Sequence, residues 1–182
     1  MSAAEGAGSG ADRAPFIVTA ELPPDLFAWA TALRRAHFPP DRNHLSAHVT
    51  LFHALPPSLG AELRGLLARL CAAHAPPPAR LAGLLDLGGG TALRLESPAM
   101  LALRETIAEH CHGALTAQDR HRPRLHVTIQ NKVAPEAARR LQAGLRDSVP
   151  ARDFRFAGLA LHRYRGGPWE AAGRWPFRGA RG

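Results

Sequence analysis

Two short, nearly identical stretches combine the residue types that acid–base chemistry at a phosphate requires. The sequence reads HVTL from His48 and HVTI from His126, which is 78 residues further along the chain. Histidine accepts a proton when neutral and donates one when charged, because its ordinary pKa lies near neutral pH. The hydroxyls of Thr50 and Thr128 can donate hydrogen bonds to phosphate oxygens on which charge develops.

The β-branched residues of both stretches predict strands, and strand geometry determines which side chains share a face. Successive side chains on a strand alternate between faces, so His48 lies beside Thr50, and His126 beside Thr128. If the two strands meet across a groove, two imidazoles and two hydroxyls converge. One neutral imidazole can then take a proton from the attacking oxygen while the charged one protonates the leaving oxygen. This chemistry requires no metal and no cofactor, and none is predicted.

The elements around the two motifs repeat in the same order, with similar spacings. The segment RLAGL from Arg80 matches RFAGL from Arg155 at an offset of 75 residues, and the glycine turns at Gly89 and Gly166 are offset by 77. Each motif strand stands between predicted helices. We interpret the repeat as an internal duplication, giving two α+β lobes that each contribute one motif strand.

Length and composition favour one domain of ordinary size. The chain has 182 residues, of which 46% are apolar, enough to form a proper core. We predict a disordered tail at 1–13, a single bilobal domain at 14–177 and a short tail at 178–182. The chain has no charged-then-apolar leader and no apolar run long enough to cross a bilayer. We therefore expect a cytoplasmic protein.

The net charge of +8 comes almost entirely from arginine, and Lys132 is the only lysine. Arginine suits phosphate recognition because its planar group binds phosphate in a forked geometry. A genome rich in G and C would also produce this arginine bias, so the charge alone identifies no partner.

Five further residues are candidates for binding a nucleotide substrate. Phe52 follows the first motif on the cleft face, and Gln130 and Lys132 extend the second motif strand on its own cleft face. Arg124 ends a basic loop that would form a rim for phosphates, and Tyr164, like the nearby Trp169, could stack on a base. The alternatives are a solvated loop and hairpin aromatics packed on the core.

The other histidines near the first motif have plainer interpretations. His53 points away from His48 by strand alternation, and His44 lies in a loop where a solvated side chain is expected. His44, His48 and His53 are crowded as in a metal site, but nothing nearby completes a set of ligands. No metal centre is therefore predicted.

Two histidine–apolar–threonine–apolar motifs, one in each α+β lobe, resemble the two-histidine (2H) phosphoesterase superfamily. Within it the chain is most similar to bacterial proteins of the 2′-5′ RNA ligase family, which are related to RNA 2′,3′-cyclic phosphodiesterases. The resemblance extends from about residue 15 to residue 177. It implies two antiparallel sheets lining a central cleft with helices outside, and metal-independent phosphoester chemistry. The family's motif residues correspond here to His48, Thr50, His126 and Thr128.

The expected function is hydrolysis of 2′,3′-cyclic phosphate or 2′-5′ phosphodiester bonds in RNA ends or nucleotides. Two alternatives remain open: a non-catalytic module of the same fold that binds RNA or nucleotides, and a hydrolase of a small non-RNA cyclic phosphate. No obligate protein partner and no membrane association are expected. Which histidine is the acid, and what the oligomeric state is, are not determined by the sequence.

Overall fold

The structure, a computed structural model, describes residues 13–180, so the predicted tail at 1–13 lies outside it except for Arg13. The strands are β1 (Phe16–Glu21), β2 (Val49–Leu55), β3 (Pro78–Asp86), β4 (Thr91–Glu96), β5 (His126–Gln130), β6 (Arg152–Arg155), β7 (Gly158–Arg163) and β8 (Glu170–Pro176). The helices are α1 (Pro24–His37), α2 (Gly60–Ala73), α3 (Pro98–His110), the short α4 (Ala117–Arg120) and α5 (Pro135–Leu145).

Local chemistry explains where the helices begin. Three of the helices, α1, α3 and α5, start with a proline, which lacks the amide hydrogen that a first helical residue cannot use. Before α3, the Ser97 side chain accepts a hydrogen bond from the amide of Met100 and caps the helix. Before α4, Thr116 does the same for the amide of Asp119. The loop that leads into the second motif is therefore held in a defined shape.

The strands form two antiparallel four-stranded sheets, as the resemblance implies. The first sheet has the order β2-β1-β7-β8 and the second the order β5-β4-β3-β6. Both motif strands, β2 and β5, are thus edge strands, and each pairs with the strand that begins its repeat. The equal position of the motifs in the two sheets agrees with an internal duplication.

Strands cross over between the two repeats. The strand β3 follows the first motif in sequence but pairs with β4 in the second sheet, and β7 follows the second motif but pairs with β1 in the first sheet. The two lobes therefore are not two consecutive halves of the chain. The glycine turns are also not equivalent, because one joins β3 to its inner neighbour and the other joins β7 to the outer strand β8.

The stretch from Phe154 to Tyr164, which reads as one strand in the sequence, divides between the two sheets. It leaves the second sheet after Arg155 and enters the first at Gly158. At the crossing, the amide of Phe156 donates to the Pro77 carbonyl and the amide of Ala157 donates to the Glu21 carbonyl. Each backbone group at the break thus finds a partner from a different sheet.

A single hydrophobic core lies between the sheets and the helices, and the chain end is attached to it. Phe177 is buried, and the amides of Arg178 and Gly179 donate to the carbonyls of Cys71 and His74 at the end of α2. Cys71 and Cys111 are free and buried, and burial raises the pKa of both thiols to about 11. In the described part of the chain, no helix has the length and apolar character needed to cross a membrane.

Candidate active site

The two motif strands lie side by side where the sheets meet. His48 directly precedes β2, and His126 is the first residue of β5. Both histidines and both motif threonines are half-buried, while Val49 and Val127 between them are buried in the core. Strand alternation therefore orients the motifs as the sequence predicts.

The two histidines are held by the same backbone contact. The His48 Nδ1 lies 2.8 Å from the Ser46 carbonyl oxygen, and the His126 Nδ1 lies 2.7 Å from the Arg124 carbonyl oxygen. A carbonyl only accepts, so Nδ1 carries the proton and donates in each ring. In the neutral form, Nε2 then has a free lone pair, as a general base requires.

Each motif strand contains a β-bulge directly after its threonine. Opposite β1, Thr50 pairs with Thr19 but Phe52 pairs with Val18, so Leu51 is an extra residue. In β5, the partners of Thr128 and Gln130 are likewise adjacent residues of β4, and Ile129 is extra. The bulge turns the side chain that follows the extra residue to the other face.

The predictions that Phe52 and Gln130 face the cleft are therefore wrong. Phe52 is fully buried, with the Arg104 guanidinium 4.4 Å from its ring centre. Gln130 is also buried, and its side-chain oxygen accepts a hydrogen bond from the Thr91 hydroxyl at 3.5 Å. The physical reason is the same in both lobes: an inserted residue cancels the alternation on which the predictions rested.

A cleft of about 410 Å³ lies between the two motif strands. His48 and Thr128 line it together, whereas Thr50 and His126 lie outside the volume on the same faces of the same strands. The other side chains that face the cleft include Arg34, Arg42, His44, Asn131, Lys132, Tyr164 and Trp169. The predictions for Lys132 and Tyr164 thus agree with their position, and His44 lies on the rim.

Lys132 reaches the cleft by a route that the sequence did not predict. The strand ends at Gln130, and Lys132 adopts a left-handed backbone conformation with φ of 57°. Its amide donates to the Asn131 side-chain oxygen at 2.8 Å, which helps to hold this unusual turn. Arg124, in contrast, lines a neighbouring groove and not the cleft.

Arg34 is a buried cation that connects the two motifs. Its guanidinium donates to the Thr128 carbonyl at 2.6 Å, to the Leu45 carbonyl at 3.1 Å and to the Asn43 side-chain oxygen at 3.1 Å. One side chain thus joins the loop before the first motif to the strand of the second. In the sequence, Arg34 is marked by its spacing, because it lies on the same face of α1 as the buried Leu26 and Ala30.

A second network joins the lobes from the other side. The Asp119 carboxylate is buried and accepts hydrogen bonds from the amides of His53 and Ala54 and from the His53 ring. Burial raises the pKa of Asp119, but these hydrogen bonds and the charge of His53 outweigh it, so the net shift is downward. Arg104 donates to the Asp119 carbonyl. His53 therefore connects β2 to the loop before β5.

The surroundings of His48 strongly favour its neutral form. Burial is the largest cause, followed by the charges of Arg34, His162 and His126, and together they lower the pKa of His48 to about 4 despite the hydrogen bond to Ser46. The Trp169 ring lies 4.6 Å from the His48 ring, centre to centre. His48 is therefore uncharged at neutral pH, and His126 is close enough for its charge to be felt.

A third histidine, His162 on β7, extends the polar face of the first sheet. Its Nε2 lies 3.0 Å from the Thr19 hydroxyl, and its ring lies 5.4 Å from that of Trp169. Burial, and then the charge of Arg174, lower the pKa of His162. No motif or spacing in the sequence marks this residue as part of the site. Within residues 13–180, no group of three or more histidine, cysteine or acidic side chains is arranged to hold a metal ion.

Comparison with known proteins gives a family and a set of structural neighbours. The profile of the 2′-5′ RNA ligase superfamily matches residues 22–168. No characterised protein sequence gives a significant match. Among solved structures, the protein TT0787 of Thermus thermophilus has a TM-score of 0.61 at 19% identity, covering 92% of this chain and 100% of that one.

The Escherichia coli protein LigT has the same fold. Its complex with NADP+ has a TM-score of 0.57 at 15% identity, with 91% of this chain and 99% of that chain covered. Its complex with 3′-AMP has a TM-score of 0.57 at 17% identity, with 91% and 98% covered. The profile match spans most of the chain, and the fold and paired motifs agree with it: this protein belongs to the 2′-5′ RNA ligase superfamily of 2H phosphoesterases.

Proposed function

We propose that this protein is a metal-independent phosphodiesterase that hydrolyses 2′,3′-cyclic phosphate or 2′-5′ phosphodiester bonds at RNA ends or in nucleotides. The observation that carries the proposal is the pair of equivalent histidines, each fixed through Nδ1 and each two residues from a half-buried threonine. The complexes of LigT with 3′-AMP and NADP+ support a nucleotide phosphate as the ligand.

In this proposal His48 is the base and His126 the acid, and the low pKa of His48 supports this assignment. His48 is neutral, so its Nε2 removes a proton from the attacking water. As the new phosphorus–oxygen bond forms and the bond to the leaving oxygen breaks, a protonated His126 delivers its Nε2 proton to that oxygen. After the reaction His48 is protonated and His126 is neutral. Proton exchange with solvent then restores the starting state.

The threonines and nearby cations would hold the phosphate during the displacement. The hydroxyls of Thr50 and Thr128 donate to the non-bridging oxygens, where preorganised donors stabilise developing charge. Lys132 supplies a positive charge at the same cleft. Tyr164 and Trp169 offer aromatic faces on which a base can stack. Arg34 acts through Thr128 and Leu45, whose carbonyls it binds, and is a positioning residue.

The test is turnover of 2′,3′-cyclic nucleotides, RNA with a cyclic 3′ end and 2′-5′ linked dinucleotides in the presence of EDTA. We expect hydrolysis by the wild type, and a loss of at least about 10³-fold in kcat in His48→Ala and in His126→Ala, because each removes one proton transfer. His112→Ala is the matched control, since His112 is an exposed histidine outside the cleft.

The outcomes separate the alternatives. No turnover of any substrate, or full activity in both cleft variants, would contradict the proposal. Binding of RNA without turnover, unchanged in the two variants, would indicate a non-catalytic module. Turnover of small cyclic phosphates with no affinity for RNA would indicate a hydrolase of a non-RNA substrate.

A further inference from the structure

A second groove, of about 550 Å³, lies beside the second motif and outside the cleft already described. Its apolar surface comes from Leu85, Pro98, Leu101 and Pro123, and its rim carries the guanidinium groups of Arg94, Arg122 and Arg124. It combines apolar surfaces and planar cations, both of which nucleobases can contact, with positive charge for phosphates.

The groove lies next to the second motif, because β4 and β5 contribute residues to both regions. Arg94 is the direct cross-strand partner of His126, so the two side chains share the cleft face of the second sheet. Arg124 lines the groove, and its carbonyl fixes the His126 ring. A chain that leaves a phosphate at His126 therefore has this groove beside it.

Fewer arginines are held in ion pairs in this groove than in the neighbouring one. In the adjoining groove around β3 and β6, Arg80 is paired with Asp153 at 2.7 Å and Arg152 with Asp25 at 2.5 Å. In the groove beside His126, the side chains of Arg122 and Arg124 form no ion pair with any residue of the described chain. Arg94 is less free: Glu96, which also lines the groove, lies 3.8 Å away, and the Arg94 guanidinium donates to the Ala82 carbonyl at 3.0 Å. The charges of Arg122 and Arg124 are thus available for an external anion.

We propose that the groove beside His126, which we call the Arg94–Arg122 groove after two of its rim residues, binds the RNA strand on one side of the reacting phosphate. The natural substrate is then the end of a polynucleotide and not a free mononucleotide. This inference rests on the proposed function, because it takes the terminal phosphate to lie between the two motifs.

The test measures binding, so that it does not depend on turnover. The probes are a fluorescent eight-nucleotide RNA with a 3′-phosphate and, as competitor, a nucleoside 3′-monophosphate. The variant Arg94→Gln/Arg122→Gln is compared with Arg139→Gln/Arg140→Gln, which removes the same charge from the exposed face of α5. A second variant, Arg122→Glu, changes only one exposed loop residue.

We expect the wild type to bind the RNA at least about tenfold more tightly than the mononucleotide. In the groove variants, the Kd for RNA should rise about tenfold at low salt. The slope of log Kd against log salt should fall by about 1.4 in the double variant, as expected for the loss of two contacts to single-stranded phosphates. The Kd for the mononucleotide should change less than twofold, and the α5 variant should resemble the wild type.

Equal loss of RNA affinity in the groove and α5 variants would overturn the inference, as would RNA binding no tighter than mononucleotide binding. Equal binding of an acidic peptide of matched charge would also overturn it. Failure of the proposed function gives a different pattern, in which RNA binding depends on the groove but no substrate is turned over. Turnover without groove-dependent binding leaves the proposed function intact and removes only this inference.

Discussion

The two motif regions have the same backbone frame but different surroundings. Each has an edge strand, a histidine held by the carbonyl two residues before it, and a bulge after the threonine. His48, however, lies against Trp169 and near Arg34, whereas His126 is flanked by the exposed Arg94 and Arg124. The two motifs thus share their backbone positions, while the side chains around His48 lower the pKa of that histidine.

This difference has a functional consequence within the proposed reaction. If the two histidines had identical surroundings, each would be protonated to the same extent. Only a fraction of the molecules would then hold one neutral and one protonated histidine. A His48 held neutral by burial keeps the base in its active form at every pH above about 4.

The largest expected effect, after loss of a histidine, comes from the threonines. Thr50→Val and Thr128→Val keep the shape of the side chain but remove the hydroxyl that would bind a phosphate oxygen. We expect kcat to fall about 10²-fold in each, because an oxyanion donor is lost. Steady-state kinetics on a 2′,3′-cyclic nucleotide provides the measurement. A change of less than twofold in either variant would remove that threonine from the reaction.

A smaller effect is expected from Arg34, which connects the two regions. Arg34→Lys keeps the charge but cannot make the same three hydrogen bonds to Thr128, Leu45 and Asn43. We expect kcat to fall about tenfold with KM changed less than threefold, because the motifs lose their alignment and not their chemistry. The measurement is kcat and KM of the folded variant on the same substrate.

Arg104→Lys is the matched control for Arg34, because Arg104 is also buried and also joins the lobes but touches neither motif residue. It should lower the Tm and leave kcat within threefold of the wild type. If Arg34→Lys and Arg104→Lys lowered kcat equally, Arg34 would contribute stability alone and its positioning role would be wrong.

Trp169→Ala should have the mildest effect on rate but a distinct effect on its pH dependence. Loss of the ring hydrates His48, so its pKa rises from about 4 toward the ordinary 6.5. His48 must be unprotonated to act as the base, so the acid-side fall of kcat/KM should move to higher pH in the variant. The measurement is kcat/KM between pH 3.5 and 8. An unchanged acid limb would show that Trp169 does not desolvate His48.

The two motif strands were predictable from the sequence, because residue types and local alternation determine them. The duplication and the convergence of all four motif side chains stay predictions. The exchange of β3 and β7 between the sheets was not predictable, since strand pairing is decided by contacts between distant residues. The glycine turns at Gly89 and Gly166 had a matching offset but join strands that are not equivalent. Similar spacing alone therefore did not establish equivalence.

The errors at Phe52 and Gln130 have one local cause. A bulge inserts a residue without any change in the residue types on either side. Alternation counted along the sequence therefore assigns the wrong face to the residues that follow the bulge. The position of Arg34 was a usable sequence signal, because it lies in the apolar stripe of α1. A buried arginine needs several hydrogen-bond acceptors. No sequence signal marks His162, because its place near the site follows only from the pairing of β7 with β1.

The most direct test of the unequal pair is a 15N NMR titration of the histidine side chains in the full-length wild-type protein. At pH 7, the His48 ring should be the neutral tautomer with the proton on Nδ1. We expect His48 to titrate with a pKa of about 4. A pKa of His48 near 6.5, or a neutral form with the proton on Nε2, would contradict the central claim that its surroundings make it the base.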